Sequence, residues 1–266
     1  MTDSETQLDT DDLTVRLGDG VLRVTLNRPD SLNSLTAPML DGISTALESA
    51  ATNPAVRVVR LDGAGRGFSS GAGISEADHA NPNATEDTLT AANRAVRSIV
   101  ALPKPVVSVV QGPAAGVGVS LAIAADVVLA SEKAYFLLAF TKIGLMPDGG
   151  ATALVAASVG RTRAMKMALL AERLSAADAL VAGLVSAVFP ADDLEAEANA
   201  VIETLRSGPA AALRRTKQAI NEATLTELEG ALARETQGQL SLLESHDFRE
   251  GTRAFQQRRQ ATFTDE

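Results

Sequence analysis

Two glycine-rich stretches and one isolated aspartate carry most of the chemistry offered by this 266-residue sequence. The first stretch, GAGRGFSSGAGISE, covers residues 63–76, and the second, QGPAAGVGVSLA, covers 111–122. Each follows a run that reads as a strand and leads toward one that reads as a helix. Glycine at such a corner lets backbone come close to a ligand, and the first amides of a helix lack partners within it, so they are available to an anion. Two such corners facing each other would make a pocket for the negative oxygen that develops on an ester or thioester carbonyl. Either corner alone is an ordinary turn device. Neither is a dinucleotide fingerprint, because the string from Gly63 has Gly65 and Gly67 but Phe68 where the last glycine belongs, and no GK[ST] phosphate loop occurs. Asp148, in LMPDGG, is expected at the start of a helix after a strand, before Gly149, Gly150 and an alanine-rich run, where it serves either as a helix cap or as a base.

Other chemistries are poorly supplied. Gly118-Val119-Ser120-Leu121-Ala122 is a loose nucleophile elbow whose last glycine is alanine, and a triad around Ser120 would need His79 or His246, the two histidines of the chain. With no cysteine there is no disulfide framework, thiolate metal site or cysteine nucleophile, and two histidines are too few for most zinc enzymes, so no metal is expected. A net charge of −9 opposes attraction to phosphate backbones, and one Tyr with no Trp leaves little surface for stacking bases, so nucleic acid is not an expected partner. No run approaches the length of a membrane span. The start, MTDSETQLDTDD, is polar and acidic, unlike a signal or transit peptide, and residues 1–11 read as a disordered tail of a cytoplasmic protein.

The elements that must position these groups alternate. VRLGDGVLRVTL (15–26) is two alternating runs split by Asp19-Gly20, a hairpin signal. Thr36-Ala37-Pro38 opens a helix carrying Met39, Leu40, Ile43 and Leu47. Buried strands are expected over Val56–Leu61, Val106–Val110, Asp126–Ala130 and Leu184–Val188, with a polar helix around 86–101. From about Asp192 the chain turns to helix formers, with helices expected over Leu194–Leu205, Ala210–Asn221, Thr226–Leu243 and Phe248–Arg259. The class is α/β, with a core over 12–195 and a helical region over 196–266.

Five blocks, LNRPDSLNSL (26–35), GRGFSSGAGI (65–74), QGPAAGVGVSLAIAADVVLAS (111–131), KIGLMPDGG (142–150) and DFREGTRAFQQRR (247–259), occur in the order and spacing of one family. Together they resemble the crotonase, or enoyl-CoA hydratase/isomerase, superfamily, nearest in pattern to the Δ3,Δ2-enoyl-CoA isomerases and ring-epoxyphenylacetyl-CoA isomerases. The resemblance implies a spiral of ββα units, a C-terminal helical trimerisation region, and acyl-CoA substrates bound in trimers or hexamers. Coenzyme A would be part of the substrate, with no separate cofactor.

Carried over residue by residue, the resemblance makes the amides of Ala72 and Val117 the oxyanion donors, with Gly116 beside the second. Ala72, Gly73, Ile74 and Ser75 fall on the CoA-binding stretch, Arg28 on a CoA phosphate, and Arg258 where relatives carry a lysine reaching a neighbour's CoA. Two glutamates activate water in hydratase members; their positions hold Ser120 and Phe140 here, and neither a hydroxyl near pH 7 nor a phenyl ring replaces a carboxylate base. In the isomerase branch the acidic residue at the position of Asp148 is the base. An ordinary Asp, with a pKa near about 3.9, is too weak for that unless its surroundings disfavour charge, so an upward shift is expected. Asp126 is expected to pair with Arg161 or Arg163.

Overall fold

Asp19 and Gly20 turn β1 (Leu13–Gly18) back on β2 (Val21–Leu26) as an antiparallel hairpin, and both adopt the positive φ, +48° and +78°, that so short a connection demands. The computed structural model describes residues 10–73 and 84–265. Of the tail expected over 1–11, residues 1–9 lie outside the described residues; the amide of Thr10 donates to the Leu13 carbonyl at 3.0 Å, and the Asp11 carbonyl accepts from Asn27 at 3.1 Å.

The later strands are β3 (Val58–Gly63), β4 (Val106–Val110), β5 (Ala114–Ala115), β6 (Val127–Ser131), β7 (Tyr135–Leu137), β8 (Leu174–Ser175) and β9 (Ala187–Phe189). One sheet has the order β1-β2-β3-β4-β6-β9, parallel from β2 onward, and a smaller one the order β5-β7-β8. The helices are α1 (Ala37–Thr52), α2 (Ala84–Ala101), α3 (Val117–Ile123), α4 (Ala151–Val159), α5 (Arg161–Leu170), α6 (Ala176–Ala182), α7 (Leu194–Ser207), α8 (Ala210–Thr224), α9 (Leu228–Leu243) and α10 (His246–Gln256).

The valine-rich strands are covered on both faces, as parallel strands require. Val59, Leu61, Val106 and Val110 join the main core with Met39, Leu40, Ile43 and Leu47 of α1 and Ala95, Val96 and Ile99 of α2. The alternate positions Val58, Val107, Val109 and Leu129 pack on Leu194, Ala198 and Ile202 of α7. Thr36 caps α1 by accepting the Met39 amide at 3.4 Å.

Three expectations need correction. The strand expected from Asp126 begins at Val127, because the Asp126 carboxylate accepts the Val106 amide at 2.7 Å and pairs with the buried Lys217 ammonium at 3.0 Å, not with Arg161 or Arg163. The strand expected over Leu184–Val188 is displaced to Ala187–Phe189, since Leu184 still donates to the Ala179 carbonyl in the closing turn of α6. Asp148 does not follow a strand; a single 3-10 turn, Phe140–Ile143, precedes it.

The C-terminal helices do more within this chain than the trimerisation role expected of them. Leu228 and Leu232 of α9 enter the main core, and α10 packs on the 140–143 turn. The chain then returns along α10: Arg259 Nη2 meets Glu250 Oε2 at 2.8 Å, and the Thr264 amide donates to Asp247 Oδ1 at 2.7 Å. No helix among the described residues is long and apolar enough to cross a membrane.

Candidate active site

Residues 69–72 form a short extended segment held between Leu35 and Ala114 by parallel bridges, Leu35 with Ala72 and Ser69 with Ala114. Leu35 donates to the Gly71 carbonyl at 2.8 Å and accepts from the Gly73 amide at 3.0 Å. In such a pairing the flanking residues bond to the partner, so the N–H of Ala72 itself points to the opposite side. No acceptor for it occurs among the described residues. The loop before it is held by Asn33, a fully buried residue whose Nδ2 donates to the carbonyls of Ala64, Gly67 and Phe68 at 2.9, 2.8 and 3.1 Å.

The second corner lies directly against the first. Gly116, at φ +53° and ψ −135°, leads from β5 into α3 and donates to the Leu137 carbonyl at 2.9 Å. Val117 is the first residue of α3, and its amide has no acceptor among the described residues. Gly71, at φ +89°, lies so close that a Cβ on it would sit 2.8 Å from the Ala115 carbonyl oxygen and 3.3 Å from the Gly116 Cα. Ala72, Gly73, Gly116 and Val117 thus share the wall of one cavity of about 320 Å³ with Phe140 and Asp148.

Asp148 is half-buried, and the surface it retains faces this cavity. Gln239 Nε2 donates to Asp148 Oδ2 at 2.8 Å. Burial pushes the carboxyl up to about 7; the Gln239 hydrogen bond opposes that rise and the nearby Glu235 carboxylate adds to it. Of the two roles open to Asp148, helix cap or base, the capping role is taken by another residue. The α4 N-cap is Gly150, without a side-chain cap of its own, and Glu235 from α9 fills the vacancy: Oε2 accepts the Gly150 amide at 2.6 Å, and Oε1 accepts the Thr152 amide at 2.8 Å and its hydroxyl. Burial raises the Glu235 carboxyl too, against these hydrogen bonds.

The structure does not gather all the expected residues. The Arg28 guanidinium donates to the Ser34 carbonyl and hydroxyl, both at 3.0 Å, and lies 3.7 Å from Asp12; it is not part of the cavity wall. Arg258 follows α10 at φ +53°, exposed and also outside the wall. The wall's cations are Lys142 and Arg173, the latter stacked 4.5 Å over the Tyr135 ring. Ile74, Ser75 and His79 lie outside the described residues. Ser120 is fully buried and donates to the Asp148 backbone carbonyl at 2.9 Å, while His246 is exposed at the start of α10, so no triad forms between them. His246, Asp247 and Asp265 bring potential metal-ligating atoms within 4.8 Å of one another, but this group is not part of the cavity wall either.

The sequence reading did not single out Gln239, Glu235 or Asn33. A signal existed for the first two: Leu228, Leu232, Glu235 and Gln239 follow helical spacing, and all four are buried, so two polar residues continue an apolar stripe.

The model of a family described as enoyl-CoA hydratase/isomerase matches residues 16–266. The chain belongs to that family. A relative in Rhodobacter capsulatus, a probable enoyl-CoA hydratase, is 38% identical over 93% of this chain and 96% of its own. The 1,2-epoxyphenylacetyl-CoA isomerase of Escherichia coli is 37% identical over 92% and 95%. The crystal structure of an enoyl-CoA hydratase from Mycobacterium avium subsp. paratuberculosis is 64% identical and superposes with a TM-score of 0.91, covering 97% of this chain and all of that one. The α/β crotonase fold expected from the sequence is therefore the fold found, and the chain is an acyl-CoA enzyme of the enoyl-CoA hydratase/isomerase family.

Proposed function

We propose that this family member is an enoyl-CoA isomerase that moves a double bond by proton transfer through a thioester enolate. The observation that carries this reading is one carboxylate, Asp148, with a pKa near 7, in the same cavity wall as the amides of Ala72 and Val117. Asp148 takes a proton from C2 of a 3-enoyl thioester; the C–H electron pair moves toward the carbonyl, whose oxygen rests on the two amides. The same proton returns at C4 while the double bond settles between C2 and C3, so one group suffices as base and then as acid. A pKa near the working pH suits both halves of the cycle.

The other chemistries lack an equivalent support. Ser120 and Phe140 occupy the positions of the hydratase glutamates, and the Ser120 hydroxyl is engaged by a carbonyl. Glu235, the carboxylate behind Asp148, has both oxygens bound to the start of α4. Coenzyme A enters as part of the substrate, with Gly73, Ile74 and Ser75 assigned to its binding stretch, Arg28 to a phosphate, and Arg258 to the CoA of a neighbouring subunit. A homotrimer or hexamer fits the apolar side chains left exposed on α5 and α6, including Leu169, Leu170 and Val181.

The test is a thioester panel. A 3-enoyl-CoA is converted to the conjugated 2-trans-enoyl-CoA, crotonyl-CoA is hydrated poorly, and Asp148→Asn abolishes conversion while retaining CoA binding. Undiminished isomerisation by Asp148→Asn removes the assignment.

A further inference from the structure

Gln239 binds Asp148 in a way that makes the two carboxylate oxygens unequal. A glutamine amide has two ends, and here each end is committed. The Met146 amide donates to Gln239 Oε1 at 3.2 Å, so Nε2 is the end presented to Asp148 Oδ2 at 2.8 Å. Gln239 is 2% exposed, and the next helix position back is Gly238, against which the Met146 side chain packs. Asp148 Oδ1 has no hydrogen-bond partner among the described residues, and it is not one of their sealed, unpartnered polar atoms, so its open side is the cavity.

We propose that Gln239 is the positioning residue of the base, occupying Asp148 Oδ2 as a donor so that Oδ1 alone exchanges the proton with substrate. An Nε2 donor opposes protonation of the oxygen it binds, whereas Oδ1, at the cavity wall, keeps a lone pair available. The tether also limits rotation of the carboxylate, holding Oδ1 in one place for removal at C2 and return at C4. This rests on Asp148 being the base of the isomerisation proposed above. The charged groups around the carboxylate are Glu235 behind it on α9 and Lys142 and Arg173 in the cavity wall.

The proposal is tested on the full chain with Gln239→Leu, Glu235→Gln and Asp148→Asn, following 3-enoyl-CoA conversion against pH. Gln239→Leu lowers kcat roughly tenfold to hundredfold with KM little changed, as expected for a misplaced reacting group. Its acid limb moves to higher pH, because the carboxylate has lost a donor, whereas Glu235→Gln moves the limb to lower pH by removing a like charge. A purely structural role for Gln239 would change stability without displacing the limb. Wild-type kcat and limb in Gln239→Leu, with Asp148→Asn impaired, overturns the positioning role alone; undiminished turnover by Asp148→Asn overturns the base itself. Should Gln239→Leu not fold, the wild-type protein labelled with 15N in glutamine decides: the Gln239 side-chain amide signal shifts with the midpoint of the acid limb, and a signal indifferent to pH overturns the proposal.

Discussion

The carboxylate of Glu235 accepts the amide of Gly150 at 2.6 Å, across 85 residues of chain. Glycine at the start of α4 brings no side chain to cap it, so a helix from the far end of the sequence supplies the acceptor. The same helix, one turn further on, presents Gln239 to Asp148. Capping and placement of the carboxylate thus become one packing event between α9 and the 146–152 segment, and Asp148 is left with its side chain in the cavity instead of on its own helix.

Replacing Asp148 with Asn is expected to lower isomerisation by about 10²- to 10⁴-fold, the usual contribution of a positioned acid–base group. Calorimetric titration with a saturated acyl-CoA should find affinity near wild type, because the amides of Ala72 and Val117 are untouched.

The pH dependence of activity and that of stability run in opposite directions. In the proposed reaction Asp148 acts in its ionised form, so kcat/KM is expected to rise with pH through about 7. Its folded pKa is raised above the ordinary 3.8, so folding favours the protonated form; that contribution is whole below about 4 and fades as pH climbs through about 7. Asp148→Asn removes the ionisation and should therefore be more stable than wild type at pH 8 by about 2 to 4 kcal/mol, with the difference shrinking toward pH 5, as read by urea unfolding. Equal midpoints at both pH values would contradict the buried charge.

Gly71→Ala places a Cβ 2.8 Å from the Ala115 oxygen at a φ of +89°. Backbone strain of about 1 to 3 kcal/mol is expected, together with separation of the two corners. The measurable consequence is a loss of kcat out of proportion to the drop in melting temperature.

Glu235→Ala strips the partners from the Gly150 and Thr152 amides; Thr152 is exposed and water can replace its acceptor, whereas leaving the buried Gly150 donor unpaired costs about 1 to 3 kcal/mol. Amide hydrogen exchange should report it first at residues 150–152, ahead of the sheet.

Ser120→Ala loses one hydrogen bond to the Asp148 carbonyl, about 1 kcal/mol, and is expected to keep most of its activity. Mass spectrometry after incubation with acyl-CoA should find no acyl adduct on the wild-type serine.

How legible the molecule was depends on the range of the interaction concerned. Asp19-Gly20, Thr36 and the Gly116 corner act through local backbone geometry, and each does in the structure what its neighbours in sequence imply, whereas the residues directly after the first glycine stretch, where a helix is expected to start, fall outside the described residues. Asp148 was visible as a carboxylate before two glycines, but whether it capped α4 was decided by Glu235, which no local pattern ties to Gly150. Arg28 carries a local contact that its place in LNRP did not announce: Nη1 donates to the carbonyl and hydroxyl of Ser34, six residues away. Asp126 was rightly read as paired, yet its cation is Lys217 of α8 and not an arginine, because α8 and not α5 passes beside that strand.

The dependence of the cavity on α9 and α10 sets an order on biosynthesis. Strands β1 to β4 and helices α1 and α2 can emerge from the ribosome and collapse early, since their contacts are mutual. The carboxylate at 148 must await residues 228–256, which supply Gln239, Leu243, Phe248 and Phe255, near the end of translation. Until those residues are made, the cavity lacks one side of its wall and the Asp148 carboxylate lacks its glutamine donor, so the last seventh of the message completes a site whose glycine corners were translated long before.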